Sequence, residues 1–338
     1  MNLLCIDTCC GFCSVALYKI EINKDSKKKK YYSNNINNND FSIDFKLEIS
    51  KSIDYLNMQV ETISSITQEI ISEVIMNNLN KSDNKSDNIN NNLKKDNNKI
   101  FSYIDAIAVT TGPGSFTGNR IGLSYAYGIK MSLSEFPNEK EQNSKKFPII
   151  PFNTLDCIAS KALDKIQDKT NFQDKINYSE NIVALLPAGI DKNGENLYYY
   201  SRYSCKKNTL YKDTIYNNKI NLYRDIDYKI SSLNEIYNDI EKNINYSFSE
   251  YKNEIFFGNC KELDINSYIK AEDIILGVKY IPTYNNIVNK LLFISISSNI
   301  ELELNEKEFK KFKEDTYNYQ LNIYHYPLPY YIKNPNIG

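Results

Sequence analysis

Histidine is almost missing from this sequence, and its scarcity narrows the chemistry that the chain can perform. Among 338 residues there is one histidine, His325. One histidine is too few for a hydrolase or transferase that binds metal through a histidine pair. It is also the single candidate for a histidine general base. The tyrosine and proline neighbours of His325 favour a packed tail over a functional role.

An excess of charge of either sign is also missing. The chain has 41 Lys and Arg residues against 42 Asp and Glu residues. This balance argues against a protein that binds nucleic acid by itself, because such binding depends on neutralising many phosphates. The basic run at 27–30 lies beside an Asn-rich tract and is interpreted as solvated loop.

Long apolar segments are absent as well. No segment approaches the ~20 apolar residues that cross a membrane, and residues 2–6 lack the basic leader of a signal peptide. We therefore expect a soluble, cytoplasmic protein without membrane contact. Four tracts rich in Asn, Lys, Ser and Asp are predicted to be disordered surface insertions, at 23–40, 80–99, 138–147 and 167–180.

The seven cysteines do not form a recognisable metal-binding pattern. Four of them crowd into residues 5–13, where Cys10-Gly11-Phe12-Cys13 is a CxxC motif. A zinc site built on this motif needs a second pair at ligand spacing, and the remaining cysteines are isolated. Small buried or turn-lining cysteines are the favoured interpretation, and a metal or redox role is the alternative.

The most informative segment is the glycine corner at 112–118, with the sequence Gly-Pro-Gly-Ser-Phe-Thr-Gly. It follows the apolar run at 104–109, which predicts a buried strand, and it leads into a predicted helix at 117–133. It is not a Walker loop, because Asn119 and Arg120 stand where the phosphate-binding Lys and the Ser or Thr should be.

The residue types of this corner explain what it can do. Gly112 and Gly114 permit backbone angles closed to other residues, and Ser115 or Thr117 can cap the helix that follows. Such a corner can hold an anion or the backbone of a partner. Many glycine corners bind nothing, so the purely structural interpretation stays open.

Hydrophobic patterning predicts alternating strands and helices along the chain. Strands are predicted at 3–8, 13–18, 43–49, 104–110, 148–152, 182–186, 197–203, its partner 209–216, and 255–258. Helices are predicted at 59–79, 117–133, 153–163 and 305–314. This order indicates an α/β fold with two related lobes.

Two of the predicted helices have faces that suggest a partner. The helix at 59–79 has a second apolar strip beside its main stripe, more than one sheet needs to cover. On the helix at 117–133, Gly118, Gly122 and Ala126 recur every four residues and leave a shallow face. Another backbone can approach that face closely, from either this protein's own sheet or another chain.

Three segments together resemble one known family. They are 5–8 with 13–17, the stretch 112–128, and the terminal 330–334. These segments are similar to the bacterial TsaB (YeaZ) proteins, and the resemblance covers most of the chain outside the polar tracts. It implies an actin-like, Hsp70-like and sugar-kinase-like (ASKHA) fold of two duplicated lobes. The lobes would span 1–152 and 153–338, with a C-terminal tail that returns to the first lobe.

The resemblance implies a function inside a complex. TsaB proteins are non-catalytic partners in the machinery that makes threonylcarbamoyladenosine at position 37 of tRNAs reading codons that begin with A. This chain would be a pseudoenzyme that forms a heterodimer with a TsaD-type catalytic subunit, to which a TsaE-type ATPase binds. It would meet tRNA only through that complex. The resemblance implies no catalytic residue, metal or required cofactor in this chain; ATP or ADP at a shared interface, and a homodimer of the isolated chain, are left open.

The resemblance also implies two groups of site residues. One group would shape the loop and contact the partner or a nucleotide: Asp7, Thr8, Gly112, Gly114, Ser115, Thr117 and Arg120. The other would form the partner interface on the first-lobe helices: Ile63, Ile66, Ile70, Gly118, Gly122, Tyr125 and Ala126.

An independent ATP-dependent kinase or ATPase of the same fold is the alternative function. In catalytic members of the superfamily an aspartate at the end of the first strand organises metal and phosphate, and Asp7 stands at that place. At the entry of the first predicted helix, where relatives often carry His, this chain has Gln59.

Overall fold

The computed structural model describes residues 1–24, 41–54, 60–80, 101, 103–134, 148–169, 181–207, 220–244, 254–284 and 288. Several predicted features lie wholly or largely outside these residues: the four polar insertions, Gln59, the strand at 209–216, the helix at 305–314, His325 and the 330–334 segment.

The first half of the chain forms a five-stranded mixed sheet. Its elements are β1 (Asn2–Asp7), β2 (Phe12–Lys24), β3 (Phe41–Asp54), α1 (Val60–Asn80), β4 (Ala106–Thr110), α2 (Phe116–Ser134) and β5 (Ile149–Phe152). The strand order is β3-β2-β1-β4-β5, with β1 antiparallel to β2 and parallel to β4. β1 and β4 are nearly continuous apolar runs because helices cover both faces of the central strands.

The second half repeats this arrangement. Its elements are α3 (Thr154–Lys169), β6 (Asn181–Ile190), β7 (Asn196–Lys207), β8 (Ile220–Ser232), α4 (Leu233–Ile244), β9 (Glu254–Cys260), β10 (Ile265–Asn266), a 3₁₀ turn (Ala271–Asp273) and α5 (Ile274–Tyr280). The strand order is β10-β9-β6-β7-β8. In both halves three antiparallel strands are followed by a helix and by a strand parallel to the first. The duplication confirms the predicted fold class.

Helices and sheets alternate in layers. On one face of the first sheet, α1 and α2 share a core with the side chains of β1, β2 and β4. The helices α3 and α5 lie between the two sheets and share a second core with both of them. The outer face of the second sheet packs against α4. Among the described helices, none has a stretch apolar and long enough for a membrane crossing.

Several elements of the second half differ from the sequence predictions. The strand β7 pairs with β8 at 220–232, so the predicted partner at 209–216 is wrong. The helix α4 and the strand β8 were not predicted. The apolar positions Leu233, Ile236 and Ile240 give α4 a helical stripe, but charged residues and asparagines surround it and weaken the pattern.

Candidate functional site

The glycine corner joins β4 to α2 through a tight turn. Gly112 has a φ of 100°, in the left-handed region that favours glycine, and the Gly112–Pro113 peptide bond is cis. The Gly112 carbonyl accepts a 2.9 Å hydrogen bond from the backbone N–H of Thr154. This bond ties the corner to the start of α3, at the junction of the two sheets.

The first turn of α2 begins at the surface end of the corner. The Ser115 hydroxyl accepts a 3.1 Å hydrogen bond from the backbone N–H of Gly118, so Ser115 is the cap. Thr117, the alternative cap, is exposed. Arg120 is also exposed, and its guanidinium lies 3.8 Å from the centroid of the Phe116 ring. Of the other predicted loop residues, Gly114 and Ser115 are half-buried, and Asp7, Thr8 and Gly112 are buried.

The small-residue face of α2 is filled by the loop that follows β1. A Cβ atom on Gly118 would lie 1.9 Å from the Thr8 carbonyl oxygen, and one on Gly122 would lie 2.5 Å from the Thr8 hydroxyl oxygen. A Cβ atom on Gly114 would lie 2.5 Å from the Cys9 carbonyl oxygen. The Thr8 hydroxyl donates a 2.7 Å hydrogen bond to the Gly118 carbonyl. The Thr8 backbone thus approaches Gly118 and the Thr8 side chain approaches Gly122, both within this chain, and the assignment of these two glycines to a partner interface is corrected.

Asp7 is completely buried beneath the corner. Its Oδ1 accepts a 2.6 Å hydrogen bond from the Thr110 hydroxyl and a 3.2 Å bond from the Cys9 N–H. Its Oδ2 has no hydrogen-bond partner within the described part of the chain. Burial raises the pKa of Asp7 to about 7, although both hydrogen bonds oppose the shift. The carboxyl therefore keeps its proton well above the pH at which an exposed aspartate loses it.

Cys9 and Asn119 close the site from the side of α2. The Cys9 thiol donates to the Asn119 side-chain oxygen and lies 3.1 Å from the Thr110 hydroxyl. Asn119 is buried, and it occupies the position where a Walker loop would carry its lysine. In the sequence, Asn119 served only to exclude a Walker loop. The position of this polar residue, directly after the glycine corner, could have indicated its contact with Cys9. All seven cysteines are free and buried, as their favoured interpretation predicted.

The closed geometry limits what the site could bind. Asp7 has no exposed surface, so a phosphate or cation could reach its carboxyl only if the loop at 8–10 moved. Within the ranges that the structure describes, no group of three or more His, Cys, Asp or Glu residues could hold a metal ion. The exposed side chains at this corner are those of Thr117 and Arg120, in the first turn of α2.

Replacing Asp7 by asparagine is expected to stabilise the chain more at pH 8 than at pH 5, by about 3 kcal/mol. The pKa of Asp7 is near 7 in the folded chain and near 3.8 when unfolded, so the folded state holds the extra proton. Its stability therefore falls as pH rises from about 4 to about 7, and Asp7→Asn removes this dependence. Denaturant unfolding at pH 5 and pH 8 tests this, and an equal difference between variant and parent at both values would contradict it.

The predicted interface residues on α1 are part of the core. Ile63, Ile66 and Ile70 are at most 3% exposed and pack in the cluster that contains Leu4 and the side chains of β4. Their assignment to a partner interface is corrected, because no side-chain surface remains for a partner. On α2, Ala126 is fully buried as well, while Tyr125 is half-buried.

The surface that these two helices present to solvent is formed by other residues. On α1 the exposed positions include Ser65, Glu69 and Glu73. On α2 they include Ser124, Gly128 and Met131. The side chain of Met131 is 51% exposed, and a Cβ atom on Gly128 would meet nothing within 4 Å. We call the α2 part, with Thr117 and Arg120, the outer face of α2.

The duplicated sheets define a mixed α/β protein of two similar halves, with the closed corner at their junction. The family model described as TsaD, tRNA N6-adenosine threonylcarbamoyltransferase, matches residues 81–136, which include the corner and α2. Among solved structures, YeaZ from Pseudomonas aeruginosa is similar at 14% identity over 81% of this chain and 89% of that chain, with a TM-score of 0.44.

A second solved structure gives a similar comparison. It is an uncharacterized protein with similarity to the peptidase YeaZ from Pseudomonas aeruginosa, at 13% identity over 98% of this chain and 99% of that chain, with a TM-score of 0.43. No curated protein matches this sequence. The resemblance to the YeaZ (TsaB) proteins that the sequence predicted is confirmed.

Proposed function

We propose that this chain is a TsaB-like, non-catalytic subunit that supports threonylcarbamoyladenosine formation on tRNA. The observation that carries the proposal is the family-model match over the corner and α2, in a chain whose Asp7 is sealed from solvent. An enzyme of this fold would need an accessible carboxylate for metal and phosphate. A scaffold needs only the surface around it.

In this proposal a TsaD-type subunit docks on the outer face of α2 and the neighbouring exposed face of α1. The buried isoleucines hold these helices against the sheet, and the small exposed residues Ser124 and Gly128 let a partner helix approach closely. A TsaE-type ATPase would join that heterodimer, tRNA would be met only through it, and the assembly would act in the cytoplasm. The lobes would divide between residues 152 and 153, and ATP or ADP at the interface would add to binding without being required.

The proposal is tested by reconstitution. Purified TsaD-type and TsaE-type subunits and the threonylcarbamoyl-adenylate synthase are incubated with tRNA and labelled threonine, with and without this chain. We expect label on tRNA only when the chain is present. Equal labelling without it, from partners of confirmed activity, would overturn the proposal.

Replacing Gly128 by arginine is expected to weaken binding of the TsaD-type subunit by a factor of about 100. The open space above Gly128 lets the chain fold normally, while the long charged side chain blocks close helix packing. Ile190→Arg is the control, because it adds the same group at a position that is 65% exposed in the second lobe. Calorimetric titration compares the two variants. Equal affinities of both variants and the parent would contradict docking at this face.

The orphaned Oδ2 of Asp7 favours one alternative, an ATP-dependent kinase or ATPase in which movement of the 8–10 loop exposes the carboxyl. This alternative predicts that the isolated chain binds magnesium-ATP, and that Asp7→Asn abolishes binding in equilibrium dialysis. A regulatory homodimer is distinguished by light scattering, which would show a dimer of the isolated chain that the TsaD-type subunit does not dissociate.

A further inference from the structure

One carboxylate between the two sheets collects hydrogen bonds from three separate parts of the chain. Asp156, in the first turn of α3, is 1% exposed. Its Oδ1 accepts from the hydroxyls of Tyr203 at 2.6 Å and Tyr228 at 2.9 Å, and its Oδ2 accepts from Tyr284 at 2.7 Å. The Arg224 guanidinium lies 3.0 Å from both oxygens. These contacts occupy the accepting positions of the carboxylate.

The edge strand β8 is bent so that two of these donors reach Asp156. Arg224 pairs with Tyr203 and Ile226 pairs with Arg202, and the ladder shifts register on either side of Arg202. The extra residues in β8 turn Ile226 toward α4 while Arg224 and Tyr228 both reach Asp156 on the α3 side. A regular strand would place positions 224, 226 and 228 on one face, so the two bulges aim these side chains.

Tyr284 connects the same carboxylate to the first sheet. Its hydroxyl donates to Asp156 and accepts a 3.0 Å hydrogen bond from the Asn153 N–H, directly after β5. Its ring packs on the ring of Phe152, the last residue of β5, with centroids 4.4 Å apart. A Cβ atom on Gly277 of α5 would lie 3.3 Å from Phe152 and 3.5 Å from Tyr284, so the contact is tight.

The chemistry of this cluster suits holding parts of the fold together. Burial raises the pKa of Tyr203 and of Tyr284 well above the ordinary value, so both hydroxyls stay protonated and donate. The guanidinium of Arg224 is also fixed from its other side, 3.8 Å from the centroid of the Tyr228 ring. A carboxylate whose lone pairs are filled by the chain has nothing left for a ligand.

We propose that Asp156, with Tyr203, Arg224, Tyr228 and Tyr284, is an interlobe lock that fixes the second sheet relative to the end of β5. The lock joins the edge strand β8, the first turn of α3 and the junction at Phe152–Asn153 into one unit. The lock therefore fixes one orientation of the second sheet relative to the first. This inference does not rest on the proposed function.

The test is hydrogen exchange of the intact chain carrying Tyr228→Phe. The substitution keeps the ring and removes one donor to Asp156 from β8, 72 residues further along the chain. If the cluster is one unit, exchange of the amides at 153–158 rises about tenfold, which corresponds to about 1.4 kcal/mol for one lost hydrogen bond. Tyr284→Phe is expected to raise exchange at the same amides and in β8.

Tyr280→Phe is the matched control. Tyr280 also links the end of α5 to α3, through hydrogen bonds to Asp164 at 2.5 Å and Gln167 at 2.9 Å, both in the second half of α3 and not in the first turn that contains Asp156. We expect it to leave the amides at 153–158 and in β8 unchanged. Exchange that rises only beside each substituted residue, or equally in all three variants, would overturn the lock.

Discussion

Replacing Gly118 by alanine is expected to destabilise the folded chain by about 4 kcal/mol or more. The new methyl group would lie 1.9 Å from the Thr8 carbonyl oxygen, far inside van der Waals contact. That oxygen cannot move away easily, because the Thr8 hydroxyl is bonded to the Gly118 carbonyl and Asp7 is bonded to Thr110. The free energy of unfolding, measured by circular dichroism in denaturant, gives the cost.

Gly128→Ala on the same helix is the matched control for Gly118→Ala. No atom lies within 4 Å of the position that its Cβ would take. Alanine is the better helix former, so this variant is expected to be more stable than the parent by up to about 1 kcal/mol. If both glycines tolerate alanine equally, the close approach of the loop to α2 is wrong.

Replacing Arg202 by alanine is expected to cost about 3 to 5 kcal/mol, because it removes the cation that neutralises the buried carboxylate of Glu254. The side chains of Arg202 and Glu254 are each 6% exposed, and Arg202 Nη2 lies 2.8 Å from Glu254 Oε1. Arg202 Nη1 also lies 2.7 Å from Asp225 Oδ2. Without the guanidinium, Glu254 at the start of β9 keeps the Asn181 amide as a hydrogen-bond donor but loses its positive partner. Unfolding in denaturant at pH 7 measures the loss.

The double variant Arg202→Met with Glu254→Leu tests whether the stability lost in Arg202→Ala comes from the unpaired carboxylate or from lost packing. Removing both charges avoids the unpaired carboxylate, so this variant is expected to recover most of the stability lost in Arg202→Ala. Lys19→Ala, at an ion pair with Glu21 in which both side chains are about half exposed, is expected to have no measurable effect. A double variant as unstable as the single one would mean that Arg202 acts mainly through packing.

Local sequence patterns predicted much of the first half of the chain. The apolar runs at 3–8 and 104–110 predicted two central strands, and the corner at 112–118 predicted the turn into α2. These features depend on neighbouring residues, so the sequence displays them directly. The strand β8 was missed because its charged residues and bulges break the alternation that reveals an edge strand.

At the candidate site, the contacts between residues far apart in the sequence could not be predicted. The small residue Gly118 correctly predicted that a backbone comes close, and the sequence left open whose backbone it was; Gly122 meets a side chain instead. The answer depends on Thr8, 110 residues away along the chain. The apolar stripe of α1 likewise could not distinguish a core face from an interface. Asp156 gave no signal, since its tyrosine partners resemble the other tyrosines among the 28 in the chain.

The core between the two sheets determines how the chain should come apart on heating. Side chains from β1, α3, β6 and α5 belong to one apolar cluster, so neither half encloses a complete interior of its own. Unfolding of one half would expose the apolar side chains of the other half that pack in this shared cluster. The melting profile in a calorimeter should therefore be a single peak, in which the calorimetric and van't Hoff enthalpies agree.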